Sequence, residues 1–200
     1  MSFRKELKYK MNRHEMAEMK SFLLELGMYE LHPSRIINSC YYDTNDMSSF
    51  FDSEEGVLPR KKIRVRWYDN DLIFTKEVKI SSIEGRYKLS DEVPFIRNHY
   101  EATHQTYYDN LYGSIYPTML VSYEREYFFL NQMRITFDKN IIYKRLHPYT
   151  ELMMRDFECV MEIKVPIDCS DAYIQANIQI PTTRFSKYCR GLLIFEQMLF

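Results

Sequence analysis

Cationic side chains recur at every second position along several short segments of this chain, the spacing that sends them to one face of an extended strand. Lys62, Arg64 and Arg66 alternate with Ile63, Val65 and Trp67. The same texture returns in Glu6, Lys8 and Lys10, in Glu77 and Lys79, in Arg86 and Lys88, and in Tyr123 and Arg125. Arg134, Thr136 and Asp138 form another such face, as do Glu162 and Lys164. Taken singly, each is what a half-buried antiparallel sheet shows to water. Taken together, the faces are rich in Lys and Arg although the chain is not, since 27 basic residues stand against 28 acidic ones for a formal net charge of -1. If the strands close with these faces inward, like charges are confined and desolvated, an arrangement that an anionic guest relieves. Phosphate chains suit it: Arg offers bidentate, charge-assisted contacts and Lys a compact point charge. The acids on the same faces, Glu6, Glu77, Asp138 and Glu162, either pair with neighbouring cations or hold a divalent metal through hard oxygen ligands.

Period-two patterning predicts about eight strands, over 3–10, 36–43, 60–68, 72–80, 85–93, 118–130, 132–144 and 156–165. Turn-forming residues such as Asp69-Asn70-Asp71 and Asn131-Gln132 separate neighbouring runs at hairpin distance, so the pairing should be mostly antiparallel. Asn12-Arg13-His14-Glu15 has the spacing of a capping box, and Met16, Met19, Phe22, Leu23 and Leu26 follow at helical intervals before Gly27. Helical interludes are expected at 44–54 and 99–112. Ser170 or Asp171 should cap a short helix, and Thr183 a second one carrying Phe185, Tyr188, Leu192, Phe195 and Leu199. The expected architecture is α+β: a single domain over 1–200, built as a closed or nearly closed eight-stranded antiparallel β-barrel with flanking helices.

Near neutrality gives no reason to expect general attraction to nucleic acid or to an anionic membrane. Cys40, Cys159, Cys169 and Cys189 form no C-x-x-C pair and are expected as reduced, mostly buried thiols. The start, MSFRKELKYKM, lacks an apolar signal region, and no apolar run approaches the roughly 20 residues a bilayer requires. A cytoplasmic protein is expected. His14, His32, His99, His104 and His147 show no metal-ligand spacing, Tyr41 and Tyr42 read as core, and Asp43-Thr44 as a helix cap or turn. Lys164 reads as an ion-pair partner of a strand neighbour. Asp138 either orients nearby arginines or joins a site.

In order and spacing, Glu6-Leu7-Lys8-Tyr9, Tyr41-Tyr42-Asp43-Thr44, Lys62 to Tyr68, Glu77-Val78-Lys79, Ser122-Tyr123-Glu124-Arg125, Arg134 to Asp138, Glu162-Ile163-Lys164 and Ser186 to Gly191 resemble one known family. It is the vacuolar transporter chaperone (VTC) domain, the polyphosphate polymerase branch of the CYTH-like triphosphate tunnel metalloenzymes. The resemblance implies an eight-stranded tunnel that moves the terminal phosphate of ATP onto inorganic polyphosphate and releases ADP. It also implies that Lys8, Arg64, Arg66, Lys79, Lys88, Tyr123, Arg125, Arg134, Ser186 and Lys187 contact phosphate, with Arg64, Arg66 and Lys187 as the catalytic ones. Glu162 is the implied ligand of Mn²⁺ or Mg²⁺. The superfamily's E-x-E-x-K run reads Arg4-x-Glu6-x-Lys8 here, which suits the VTC branch better than the cyclase or thiamine triphosphatase branches. A stand-alone form is expected, and a membrane partner that exports or senses the product stays open. Two other functions remain on the same scaffold: hydrolysis of tripolyphosphate or a nucleoside triphosphate, and binding of polyphosphate without catalysis.

Overall fold

The computed structural model describes residues 4–83, 85–147 and 150–197. Alternating apolar and charged residues place β1 at Arg4–Met11, and Asn12 then caps α1 (Arg13–Glu25). The cap is the predicted box: the Asn12 side chain accepts from the His14 and Glu15 amides, and the Glu15 carboxylate accepts from the Asn12 amide at 2.7 Å. There follow β2 (Tyr29–Asp43), α2 (Ser48–Glu55), β3 (Arg60–Tyr68), β4 (Thr75–Ser82) and β5 (Gly85–Glu92). A short α3 (His99–His104) precedes β6 (Tyr107–Asp109), β7 (Gly113–Leu130), β8 (Met133–His147), β9 (Thr150–Arg155) and β10 (Cys159–Pro166). The chain ends in α4 (Asp171–Asn177), capped by Ser170, and α5 (Lys187–Gln197).

The strands pair along the path β1-β10-β8-β7-β2-β3-β4-β5, with β6 added on β7 and β9 on β8. Eight strands thus lie on the main path, as the patterning predicts, but two short ones join it. The expected closure is corrected: the path has two ends, β1 and β5. A physical reason is visible at β1, which bonds β10 on one side while Lys8 O accepts from the Thr183 amide and Lys10 N donates to Thr183 Oγ1. The segment before α5 therefore covers this strand edge. Thr183 is accordingly not the expected helix cap; α5 begins at Lys187, where Ser186 Oγ accepts from the Cys189 amide at 3.4 Å. Leu199, placed on that helix by periodicity, lies outside the described residues, as do the side chains of Arg4, Arg86 and His147. The helix expected over 99–112 ends at His104, and β6 takes its second half.

The chain divides into two compact units. The first comprises Met1–Arg35, Tyr123–Ile141 and Arg155–Phe185, and the second Ile36–Ser122, Ile142–Met154 and Ser186–Phe200. Strands β2, β7, β8 and β9 contribute residues to both, β9 giving the first unit Arg155. The first unit's core is built from the apolar faces of its strands, with Ile135, Phe137, Met161 and Ile163 all fully buried, and Met16 and Leu23 of α1 packing on it. In the second unit, Ile63, Val65 and Trp67 pack with Cys40, Tyr42, Phe74 and Ile115. All four cysteines are free and buried, as expected. Burial pushes the Cys40 thiol up to about 12.

Helix α5 approaches the second unit's strands closely at Gly191, where an added Cβ would meet Met119 Sδ at 2.5 Å and Tyr143 Cδ1 at 2.6 Å. Gly191→Ala should therefore destabilise the protein by about 1–3 kcal/mol through overpacking, measured as a lower denaturation midpoint. An alanine variant as stable as the parent would show that α5 can shift without cost.

Candidate functional site

In the second unit, β3 lies between β2 and β4, so its charged face is flanked on both sides. Arg66 stands opposite Ser39 and Arg64 opposite Tyr41 on β2. On β4, Arg64 faces Glu77 and Lys62 faces Lys79, which in turn faces Lys88 on β5. Glu77 organises the arginines. Its Oε2 accepts from Arg64 Nε at 2.7 Å and lies 3.5 Å from Arg66 Nη1, while Oε1 accepts from Lys88 Nζ at 2.9 Å. From the β2 side, Tyr41 OH accepts from Arg64 Nη1 at 2.8 Å and Ser39 Oγ from Arg66 Nε at 3.1 Å. Each guanidinium is thus held from two strands, which fixes its orientation before any ligand arrives.

These groups are not a solvated outer face. Arg66 is 8% exposed and Glu77 5%. Burial pushes the Glu77 carboxyl upward, but Arg64, Arg66 and Lys88 override it and hold the group well below the usual carboxylate range. Burial likewise raises the Tyr41 phenol, yet Arg64, Arg66 and Lys187 together hold it below its ordinary value. Lys62, Lys79 and Lys88 stand in one row across three strands. Like charges directly opposite one another destabilise a sheet, so this row suits an anion laid across it. Lys62 Nζ donates to Ser186 Oγ at 2.9 Å, which joins the row to the start of α5. Tyr41 stacks on Tyr188 with ring centroids 5.0 Å apart, and Tyr188 OH donates to Asp43 Oδ2 at 2.6 Å. Asp43 also accepts from the Ser49 and Phe50 amides in the first turn of α2, the capping role its sequence position predicts.

In the first unit, a second mixed row crosses three strands: Lys8 on β1, Glu162 on β10 and Thr136 on β8. Arg125 makes a bidentate pair with Asp138, Nε to Oδ1 at 2.5 Å and Nη2 to Oδ2 at 2.7 Å. Asp138 therefore orients an arginine, the first of the two roles open to it. Arg125 also lies 5.3 Å from the Tyr123 ring centroid and 3.8 Å, through Nη2, from Glu162 Oε2. Lys164 Nζ pairs with Glu162 Oε1 at 3.1 Å and with Glu6 Oε1 at 3.6 Å, the ion-pair role expected of it. Arg134 faces Lys164, and Lys8 Nζ donates to Phe185 O at 2.9 Å.

The same arrangement of strands is found in solved structures of low sequence identity. A candidate adenylate cyclase from Vibrio parahaemolyticus superposes with a TM-score of 0.54 at 16% identity, over 96% of this chain and 98% of its own. The PH1012 protein from Pyrococcus horikoshii gives 0.56 at 12% identity, over 94% and 99%. A Hippeastrum protein, described as a candidate adenylyl cyclase with a dominant triphosphatase activity, gives 0.51 at 11% identity, over 93% of each chain. They share the fold. No curated protein sequence matches. The family model of the VTC domain matches residues 3–196.

The chain belongs to the VTC domain family.

Within this VTC domain, the residues singled out from sequence fall into two groups. Arg64, Arg66, Lys79, Lys88, Ser186 and Lys187 lie in the second unit, and Lys8, Tyr123, Arg125, Arg134 and Glu162 in the first. Direct contacts join Arg64, Arg66 and Lys88 through Glu77, and Arg125 with Glu162. Two residues of the cluster, Ser39 and Tyr41, carried no site signal in the sequence. Tyr41 read as core, and it is buried, but its hydroxyl belongs to Arg64. Lys62 was visible on the cationic face, and Glu77 as an inward acid; the partners of both depend on strand register, which no local pattern displays.

Among the described residues, no three His, Cys, Asp or Glu side chains converge to cage a metal ion. Asp138 is engaged on both oxygens by Arg125, while Glu162 meets Lys164 at 3.1 Å through Oε1 and Arg125 at 3.8 Å through Oε2. Mg²⁺ is commonly held by one or two carboxylates together with substrate phosphates and water. The residues therefore fit an ion carried in with phosphate, not one caged by protein alone.

Proposed function

We propose that this VTC domain is a phosphotransferase that moves the terminal phosphate of ATP onto inorganic polyphosphate. The observation that supports it most is the buried, pre-oriented cation set of the second unit: Arg64 and Arg66 fixed on Glu77, beside the Lys62-Lys79-Lys88 row. Phosphoryl transfer asks the protein mainly for positioning and for charge to meet the developing negative oxygens. Arginines held on two flanks supply both without reorganising during the reaction. In the step itself, an oxygen of the acceptor chain attacks the γ-phosphorus, the bond to the β-phosphate oxygen breaks, and ADP leaves with those electrons. Lys187 and Ser186, at the start of α5, add a cation and a hydroxyl on the same unit. A divalent ion on Glu162, Mn²⁺ or Mg²⁺, would supply charge neutralisation of phosphate oxygens when bound.

Hydrolysis by the same cations is the second reading, favoured by the triphosphatase activity in the description of the Hippeastrum neighbour. Product analysis separates the two. Purified protein with ATP and Mn²⁺ should release ADP and build an acid-stable polymer; orthophosphate without polymer would replace the polymerase reading with hydrolysis. Glu162→Gln should abolish turnover in that assay while polyphosphate is still retained. Undiminished turnover in the variant would remove Glu162 from the metal site.

A further inference from the structure

Thr136 lies near the start of β8, 5% exposed, and its Oγ1 has no hydrogen-bond partner among the described residues. A buried hydroxyl in that state forfeits its hydration for nothing within the fold, and native proteins rarely keep one without a use. A valine would fill the same space at less cost. The surroundings indicate the use. Glu162 stands directly across on β10 with Lys8 beyond it on β1, and Arg134 and Asp138 flank Thr136 on its own strand face. On this face the cations only donate and the carboxylates only accept. A hydroxyl can donate to an oxyanion without adding a further charge to this face.

We propose that Thr136 is a binding residue whose hydroxyl donates a hydrogen bond to an oxygen of the bound phosphate chain. This rests on the phosphotransferase reading and concerns the charged face of the first unit alone. It also gives the unsatisfied hydroxyl a purpose: the stability it costs the fold is recovered when ligand binds.

The test uses Thr136→Val and Thr136→Ser in the full chain, with inorganic tripolyphosphate and Mn²⁺ as the probe. Calorimetric titration gives affinity, and thermal unfolding without ligand gives the midpoint. Thr136→Val should bind tripolyphosphate about tenfold more weakly, while its ligand-free midpoint stays level or rises. Thr136→Ser, which keeps the hydroxyl, should bind like the parent. Parental affinity in the valine variant overturns the inference and leaves the phosphotransferase reading untouched. A lowered ligand-free midpoint overturns it too, whatever the affinity, because the hydroxyl then belongs to the fold. If the parent protein itself fails to bind tripolyphosphate, both readings fall together.

Discussion

Arg64→Ala should lower kcat/KM for ADP release by about a hundredfold or more, the usual loss when a fixed donor to a developing oxyanion is removed. Its thermal midpoint should move by only a few degrees. The two expectations part company because of how Glu77 is partnered. Removing Arg64 still leaves that carboxylate with Arg66 at 3.5 Å and Lys88 at 2.9 Å, so no buried charge is stranded. Arg66→Ala should behave alike, since Arg64 and Lys88 then remain. Arg64→Lys should rescue little: the guanidinium spans Glu77 on one strand and Tyr41 on the other, and an ammonium cannot reproduce that planar reach. Steady-state kinetics and tripolyphosphate titration on the same preparations check this. A large fall in the midpoint with unchanged affinity would make Arg64 a structural residue and remove the main support for the proposed function.

The strand faces were legible because chemistry and geometry share a period there. Ile63, Val65 and Trp67 had to be buried, and they are, which turned Lys62, Arg64 and Arg66 to the other face. What alternation could not say was whether that face met water. The burial of Arg66, Glu77, Asp138 and Glu162 answers it. Elements without a repeating signal escaped notice. The first half of β2, Tyr29 to Arg35, is exposed or half-exposed throughout, so it carries no alternation. β6 is three residues long, too short to show a period. Long-range partners escaped as well, because Thr183 meets β1 across more than 170 residues of sequence and nothing in its own neighbourhood distinguishes such a contact from a helix cap. Tyr41 shows the same limit at the site. A buried tyrosine is core by default, and only the pairing of β2 with β3 puts its hydroxyl on Arg64.

Glu77→Gln should be the most destabilising change in the cluster, and the one that ligand best repairs. The carboxylate holds Arg64, Arg66 and Lys88 at once, and breaking a buried pair by removing one partner typically costs about 3–5 kcal/mol. Tyr41 and Ser39 still hold the guanidiniums, and the Lys88 side chain is 47% exposed, so the lower end of that range is expected. Tripolyphosphate should then raise the variant's midpoint more than the parent's, because the anion supplies the charge the glutamine lacks. The pH dependence follows from the lowered pKa of Glu77, which burial opposes and the three cations impose. A carboxyl depressed in the folded state stabilises fully above its unfolded pKa, about 4.3, and loses that contribution as pH falls toward the folded value. The stability gap between parent and Glu77→Gln should accordingly be constant from neutrality to about pH 5 and narrow below about pH 4. Denaturant titrations of both proteins across that range measure it. A gap that stays the same down to pH 3 would mean that the ionised carboxylate is not what holds the arginines in place.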